Sequence, residues 1–345
     1  QYTGGTTGRS KGVELTHRAI ATNIAQRESL VPSHWQVERL LSVMPLFHVY
    51  GIAMCLHLAP YRAATLIMAP RYHPKMIADA LVAERITVLA GSPTLYAGLL
   101  AFDEETERLN TDVLGICYSG GSALPAEILS RWELRTGTKV IEGYGQTEAG
   151  PVVSFNPQNG LRKPGSVGLP LPLTDVEIVD VEVGLHPVGT GKQGEIRVKG
   201  PQLMRGYRNL PEETAVALRG GWLYTGDIGS FDEQGYLYIR DRKKDMVIVS
   251  GFNVYPREVE DVLYLHHDVR EAAVVGVADD YRGERLKAVV VLAAGARWTV
   301  EALLLHCEKH LIRYKVPSLV EFVDELPKTG AGKVNKKALR GGENP

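Results

Sequence analysis

The sequence predicts an α/β fold with three successive parts: a mostly parallel sheet covered by helices, a small β-barrel-like subdomain and a small α+β C-terminal domain. Three observations predict this order. Short apolar runs alternate with helical patterns from Thr16 to about Val153. A stretch rich in proline and glycine, 156–172, ends the alternation, and short strands with glycine turns follow it. Beyond the charged run at 241–245, helical and strand patterns return in one compact unit.

The first part, residues 1–170, is expected to form the parallel sheet. Thr16 is a suitable N-cap for a first helix, and further helices are predicted around 50–59, 75–84, 93–101 and 125–136. The strands are predicted at apolar runs between these helices: Leu40–Met44, Thr65–Met68, Thr87–Ala90, Gly115–Ser119 and Lys139–Glu142. Ligands of such a sheet bind at the carboxyl ends of its strands.

The later parts carry a different pattern. Residues 171–240 contain the runs VEIVDV, GEIRVKG and GYLYIRD, which indicate a small antiparallel barrel or sheet. The run DRKKD at 241–245 is typical of a hinge, although a solvated loop explains it equally well. In residues 246–345 we expect a helix from Pro256, two strands at AAVVGV and LKAVVVLA, a helix from Thr299 to about Arg313, and a strand at LVEFV.

Composition excludes several function classes. The net charge of −1 gives no electrostatic reason to expect nucleic acid as a partner. The three cysteines are scattered and form no CxxC pair, so they indicate neither a disulfide framework nor a zinc site, and a reducing cytoplasm fits them best. The most apolar stretch, 52–68, is interrupted by His57, Pro60 and Arg62, and we therefore expect no transmembrane segment.

The segment YTGGTTGRSKG, from Tyr2 to Gly12, has the composition of a phosphate-binding loop. Small residues let the backbone approach an anion, hydroxyls donate hydrogen bonds, and one lysine adds a charge. The residues concerned are Thr3, Gly4, Gly5, Thr6, Thr7, Gly8 and Lys11. It is not a Walker A loop, because Lys11 is followed by Gly12 rather than by serine or threonine. A flexible surface loop is the alternative.

This loop resembles the phosphate loop of the adenylate-forming superfamily, which includes acyl-CoA synthetases, aryl-CoA ligases, luciferases and peptide-synthetase adenylation domains. It departs from the usual TSGTTGxPKG at Gly4 and Ser10. Six further signatures follow in the family's order: MPLFHVYG at 44–51, YSGGSALP at 118–125, EGYGQTEAGP at 142–151, GWLYTGDIG at 221–229, DRKKDMVIVSGFNVYPREVE at 241–260 and PKTGAGKVNKKALR at 327–340. The chain looks closest to fatty-acyl or coumarate-type CoA ligases. Because such proteins carry a substantial portion before the phosphate loop, we expect a fragment whose N-terminal portion is missing or is a separate chain.

The resemblance implies a site for ATP, Mg²⁺ and coenzyme A. Glu148 would bind Mg²⁺ and Thr147 the α-phosphate, and Lys333 would reach the reacting carboxylate from a mobile C-terminal domain. His48 would gate the path between the ATP and acyl pockets. The remaining implied nucleotide and coenzyme positions are Gly120, Gly121, Ser122, Gly143, Tyr144, Gly145, Gln146, Asp227, Arg242, Lys244, Gly251 and Phe252. Of these, Tyr144 would stack on adenine, Asp227 and Arg242 would hold the ribose, Lys244 would be the hinge, and Gly251 and Phe252 would line the path of the thiol.

Several of these positions also have an ordinary structural explanation. YGQTE can be a strand-to-loop turn, and Asp227 can belong to a common Gly-Asp turn. A lone histidine beside aromatic residues, such as His48, is more often packed in a core, and a lone lysine in a glycine loop, such as Lys333, is usually solvated. The ordered set of signatures, rather than any single residue, favours the functional reading.

The resemblance favours an ATP-dependent acyl-CoA ligase that works through an acyl-adenylate. Positions that match the acyl pocket carry no charge, which predicts a carboxylic acid with an apolar tail; they are Val49, Tyr50, Gly143, Pro151 and Val152. A fatty acid is the first expectation and a cinnamate-like aryl acid the second. An adenylation domain that loads a carrier protein and an inactive nucleotide-binding fragment stay open as alternatives, although the run 46–51 lacks the acid that usually pairs with an amino-acid substrate.

Overall fold

The computed structural model describes residues 1–4, 10–107, 109–279, 281–293, 295–328 and 334–340. Contacts divide the chain into two units: Gln1–Thr225 with Ser230–Ile239, and Gly226–Gly229 with Arg240–Pro345. In the part of the chain that is described, no helix combines the length and the apolar character needed to cross a membrane.

The first unit begins with a hairpin and a helix. Strands β1 (Tyr2–Gly4) and β2 (Ser10–Glu14) pair antiparallel. Helix α1 (His17–Leu30) starts where the sequence predicts, because the Oγ1 atom of Thr16 accepts a hydrogen bond from the backbone N–H of Ala19 at 3.0 Å.

A seven-stranded sheet forms the centre of the first unit. Its strands are β3 (Arg39–Ser42), β4 (Thr65–Met68), β5 (Val88–Gly91), β6 (Ile116–Ser119), β7 (Val140–Gly145), β8 (Val152–Phe155) and β9 (Leu169–Pro170). Their order is β4-β3-β5-β6-β7-β8-β9. The pairs from β4 to β7 are parallel, whereas β8 and β9 pair antiparallel. The prediction of a mostly parallel sheet is confirmed.

Helices pack on both faces of this sheet. They are α2 (Val49–Gly51), a π-helical segment (Ile52–His57), α3 (Leu58–Arg62), α4 (Pro74–Ala83), α5 (Pro93–Thr106) and α6 (Ala126–Thr136). Adjacent strand residues point to opposite faces: Leu41 belongs to a core with Trp132 of α6, and Leu40 to a core with Met54 of the π-helical segment. The helix predicted at 50–59 therefore exists, but it extends to Arg62 and contains a π-helical segment.

The following region is rich in short strands, as predicted. They are β10 (Asp175–Val179), β11 (Gly194–Lys199), β12 (Gly206–Tyr207), β13 (Leu218–Arg219), β14 (Trp222–Phe231) and β15 (Leu237–Arg242). Five of them form one sheet in the order β10-β11-β14-β13, with β15 paired to β14. Strand β12 instead pairs with β2, in the order β1-β2-β12.

The sequence predicted only strands in this region, but it also contains helix α7 (Pro211–Ala217). Its start carries recognisable signals. Proline occupies the first turn, where no backbone donor is needed. The negative charges of Glu212 and Glu213 in that turn interact favourably with the positive end of the helix dipole.

The second unit is an α+β unit, as predicted. After the 3₁₀ turn Lys243–Asp245 come β16 (Val247–Val249), β17 (Phe252–Val254), α8 (Pro256–Tyr264), β18 (Val269–Asp279), β19 (Gly283–Leu292), α9 (Val300–His310), β20 (Leu319–Phe322) and α10 (Lys336–Leu339). The strand order is β17-β16-β19-β18, with β20 parallel to β19. Helix α9 ends at His310 rather than near Arg313, which instead begins a 3₁₀ turn.

Candidate nucleotide and acyl site

Two predicted site segments meet at one edge of the central sheet. Strands β6 and β7 are parallel neighbours, so their carboxyl ends lie side by side. Gly120–Ser122 follow β6, and the 3₁₀ turn Thr147–Ala149 follows β7. The sheet thus brings together the residues predicted to contact the adenine and the α-phosphate.

The turn after β7 holds its two polar side chains in a buried position. Thr147 is 7% and Glu148 is 9% exposed. The turn closes through Gly150, which has a φ of +89° and lies so near Gln202 that a Cβ atom would be 2.3 Å from the Gln202 carbonyl oxygen. The backbone carbonyl of Glu148 also accepts a hydrogen bond from Met204 N–H at 3.0 Å. The position of Glu148 is therefore fixed by backbone contacts on both sides.

Among the described residues, the Glu148 carboxylate has one side-chain partner, which the sequence did not reveal. The hydroxyl of Tyr207 donates a hydrogen bond to Oε1 of Glu148 at 2.8 Å. The other oxygen, Oε2, forms no hydrogen bond or ion pair with the residues that the structure describes. Burial and the neighbouring charge of Glu148 raise the pKa of Tyr207, so its hydroxyl stays protonated and remains a donor.

Lys11 contacts the ring of the same tyrosine. It lies on β2, where Thr3 of β1 is its register partner, and its Nζ is 4.7 Å from the centre of the Tyr207 ring. Gly4 ends β1. The remaining predicted loop residues, Gly5, Thr6, Thr7 and Gly8, lie outside the described residues.

Glycines shape the predicted adenine and acyl region. A Cβ atom on Gly120 would lie 3.1 Å from the Tyr50 ring, and one on Gly143 would lie 2.3 Å from the Phe155 ring. Both glycines therefore let an aromatic ring pack against a strand end. Gly121, Ser122 and Gly145 are exposed, and Tyr144 is half-buried. Gln146 is half-buried too, and its Nε2 atom has no hydrogen-bond partner among the described residues.

The predicted gate and acyl residues lie where α2 begins. His48 is the N-cap of α2, and its Nδ1 accepts a hydrogen bond from Tyr50 N–H at 3.2 Å. The Tyr50 hydroxyl is 3.1 Å from the Tyr118 carbonyl oxygen and 3.2 Å from that of Gly91. Burial raises the pKa of Tyr50, which keeps that hydroxyl neutral. The capping contact gives His48 a structural role, and its role as a gate stays a prediction.

The other two acyl positions lie on the chain that leaves the Glu148 turn. Pro151 and Val152 are buried, and Val152 exchanges hydrogen bonds with the Asn23 side chain at 2.8 and 3.1 Å. These contacts tie the segment to α1.

The predicted ribose residues belong to the second unit. Asp227 on β14 and Arg242 at the end of β15 form an ion pair in which Arg242 Nε is 3.4 Å from Asp227 Oδ1. The Asp227 side chain is 10% exposed and that of Arg242 is 55% exposed. A nearly buried carboxylate beside a solvated guanidinium is suited to accept hydrogen bonds from two hydroxyls.

The predicted hinge residue Lys244 lies in the 3₁₀ turn after β15 and is exposed. Partial desolvation of its amine and the charge of Arg242 lower the pKa of Lys244. Asp245 in the same turn accepts a hydrogen bond from Arg340 at 2.8 Å. Rotation about this turn stays a prediction.

Gly251 forms the tip of the β16–β17 hairpin with Ser250. Both residues have positive φ, +84° and +51°, as a two-residue hairpin turn requires. Phe252 is 54% exposed and stacks on Tyr314, with ring centres 4.6 Å apart. Beside this stack is a cavity of about 670 Å³, and its lining includes Ser250, Arg282, Arg313, Tyr314 and Pro317.

Lys333 lies outside the described residues, and so does the segment 329–332 before it. The residues on either side, Lys328 and Val334, form an antiparallel bridge. Asn335 then caps α10 through a hydrogen bond from Ala338 N–H at 3.4 Å.

A second set of possible metal ligands is present in the second unit. Among the residues that are described, His266, His267 and Asp268 have ligand atoms within 4.8 Å of one another. The His266 side chain is half-buried and packs against Trp298, with the two ring centres 3.8 Å apart. The set does not include Glu148, the predicted magnesium ligand.

Comparison with known proteins covers almost the whole chain. A family model described as AMP-binding enzyme matches residues 1–208, and one described as AMP-binding enzyme C-terminal domain matches residues 258–333. A long-chain-fatty-acid–CoA ligase of Bacillus subtilis (strain 168) is 44% identical over 340 residues, which are 98% of this chain and 60% of the relative. A feruloyl-CoA synthase of Amycolatopsis sp is 39% identical over 343 residues, 98% of this chain and 68% of the relative.

A solved structure gives the same result for the fold. The crystal structure of ATP-bound MatB from Rhodopseudomonas palustris matches with a TM-score of 0.92 and 37% identity, over 98% of this chain and 66% of that one. The α/β fold class predicted from the sequence is thereby confirmed.

Proposed function

The chain belongs to the family of AMP-binding enzymes, and from this premise we propose that the protein is an ATP-dependent carboxylic acid:CoA ligase that works through an acyl-adenylate. The resemblance drawn from the motifs is confirmed. The observation that carries the proposal is the 44% identity to a long-chain-fatty-acid–CoA ligase, which extends over 98% of this chain. The chain spans 60% of that relative, so activity and substrates are proposed for the whole protein.

In the first proposed step, an oxygen of the substrate carboxylate attacks the α-phosphorus of ATP, and pyrophosphate leaves. Lys11 contributes positive charge toward the phosphates, and the Thr147 hydroxyl donates to the α-phosphate. Fixed donors at the place where negative charge develops are worth the most in a site that excludes water. The burial of Thr147 and Glu148 supports such a site.

Glu148 fits the proposed magnesium ligand. Its carboxylate is buried and held by Tyr207 through Oε1, which leaves Oε2 to contact a cation. Oxygen ligands from one or two carboxylates together with substrate phosphates are what Mg²⁺ prefers. When bound, Mg²⁺ would offset the charge of the triphosphate.

In the second proposed step, the thiolate of coenzyme A attacks the acyl carbonyl and AMP leaves. Gly251 and Phe252 would line the approach of the thiol. The nearby cavity supports this arrangement, since Arg282 and Arg313 offer guanidinium groups to phosphates and Tyr314 offers an aromatic face. Lys333 would act in the first step and leave the site for the second.

A long-chain fatty acid is the proposed substrate, and an aryl acid is the second candidate. The first is supported by the Bacillus ligase, and the second by the 39% identity to the feruloyl-CoA synthase. The matched acyl positions Val49, Tyr50 and Val152 carry no charge, which is compatible with either tail. A cytoplasmic location is proposed with this function.

The experiment is acid-dependent exchange of labelled pyrophosphate into ATP by the full-length protein, measured with fatty acids of increasing length and with ferulate. The proposal predicts the highest kcat/KM for a long fatty acid. Preference for ferulate would select the second candidate. Absence of exchange with every acid, in protein that is folded by circular dichroism, would contradict both.

A further inference from the structure

Tyr207 joins two groups of the proposed nucleotide site that come from distant parts of the sequence. Its hydroxyl donates to Glu148 Oε1 at 2.8 Å, and its ring lies 4.7 Å from Lys11 Nζ. One half-buried side chain therefore contacts both the proposed phosphate lysine and the proposed metal carboxylate.

Backbone hydrogen bonds tie the segment around Tyr207 both to β2, which carries Lys11, and to the turn that carries Glu148. Tyr207 is paired with Val13 across β12 and β2, and Arg208 N–H donates to the Gly12 carbonyl at 2.7 Å. Met204 N–H, three residues earlier, donates to the Glu148 carbonyl at 3.0 Å. The backbone N–H of Tyr207 also donates to the Thr214 side chain at 2.8 Å, which ties β12 to α7. The tyrosine thus keeps a fixed distance to both neighbours.

We propose that Tyr207 is a positioning residue that orients the Glu148 carboxylate toward the divalent cation and supports Lys11 over its ring. The inference rests on the proposed function. Glu148 has a single carboxylate contact among the described side chains, so the hydrogen bond to Oε1 limits rotation of the carboxylate group and leaves Oε2 as the metal-facing atom. Hydrogen bonds of this kind, from a neighbour to a metal-binding group, typically change metal affinity by about 10- to 100-fold.

Two substitutions separate the two contacts. Tyr207→Phe removes only the hydroxyl and keeps the ring beneath Lys11, whereas Tyr207→Leu removes both. Tyr236→Phe is a matched control in the same unit, because Lys163 Nζ lies 4.7 Å from the Tyr236 ring and the Tyr236 hydroxyl donates to the Leu161 carbonyl. Neither Tyr236 contact involves a residue of the proposed site.

The test measures binding rather than turnover. Full-length protein is mixed with α,β-methylene-ATP, whose α–β linkage does not cleave, and Mn²⁺ binding is followed through the electron paramagnetic resonance signal of the free ion. We expect Tyr207→Phe to raise the dissociation constant of Mn²⁺ about 10- to 100-fold. Binding of the analogue without metal should change less than about twofold in Tyr207→Phe, and should weaken about 2- to 10-fold in Tyr207→Leu because the ring is lost.

The outcomes are distinct. Unchanged Mn²⁺ affinity in Tyr207→Phe, with a wild-type melting temperature, would overturn the inference, and so would an equal loss in Tyr236→Phe. Wild-type protein that binds neither the analogue nor Mn²⁺ would instead refute the proposed function itself. Weaker Mn²⁺ binding confined to the Tyr207 variants supports the positioning role.

Discussion

Replacing Asp227 with asparagine is expected to weaken ATP binding while the protein stays folded. The side chain is nearly buried, but its ion-pair partner Arg242 is 55% exposed. An ion pair with so exposed a partner contributes less than about 1 kcal/mol to stability. By contrast, two ribose hydroxyls donating to a charged carboxylate contribute about 1.5 to 3 kcal/mol. That free energy corresponds to a rise of about 10- to 150-fold in the dissociation constant of ATP.

The assay is calorimetric titration of full-length protein with ATP, accompanied by the melting temperature. Asp261→Asn is the control, because Asp261 also pairs with an arginine, Arg257, at 3.6 Å and lies on α8. We expect the control to bind ATP as the wild type does. Equal ATP affinity in Asp227→Asn and wild type would refute the ribose role and leave Asp227 as a strand residue that pairs with Arg242.

Two further predictions concern the half-reactions and the response to pH. Lys333→Ala is expected to lower the rate of acyl-adenylate formation about 100- to 1000-fold and to spare thioester formation from supplied acyl-adenylate. Gly251→Trp is expected to block the thiol and so to slow thioester formation while sparing acyl-adenylate formation. Equal losses in both steps for both variants would contradict the rotating-domain mechanism. Burial raises the pKa of Glu133, but the hydrogen bonds and charge of Arg162 outweigh it and the pKa is lowered overall. The stability from this pair is therefore present above the ordinary glutamate pKa and lost as the pH falls through the lowered value. Glu133→Gln should therefore weaken the dependence of the free energy of unfolding on pH at acidic pH, measured by urea unfolding. An unchanged pH dependence in the variant would contradict this.

The sequence predicted those elements whose pattern is local. Strand β4 at Thr65–Met68 matches its prediction at both ends, and α1 begins at the predicted cap, because Thr16 supplies a side-chain acceptor at the right spacing. Parallel strands that are buried on both faces appear as short apolar runs, and the cores on the two sides of Leu40 and Leu41 account for that pattern.

Elements defined by distant partners were not predictable in this way. Strand β12 has two residues, too few for any periodicity, and it exists because it pairs with β2, about 190 residues earlier in the chain. The contact of Tyr207 with Glu148 depends on that pairing. The available signal was weak: Tyr207 follows a glycine and lies shortly before Pro211, which starts α7. The roles of the predicted site residues likewise depend on ligands rather than on local pattern, and they stay predictions.

The acyl-adenylate intermediate is the central claim, and transfer of an oxygen isotope tests it most directly. Full-length protein would be incubated with ATP, coenzyme A and a long-chain fatty acid labelled with ¹⁸O in the carboxylate, and the AMP would be analysed by mass spectrometry. Attack of the carboxylate on the α-phosphorus predicts one ¹⁸O atom in each AMP formed. Unlabelled AMP, or label found in phosphate or pyrophosphate instead, would contradict the account.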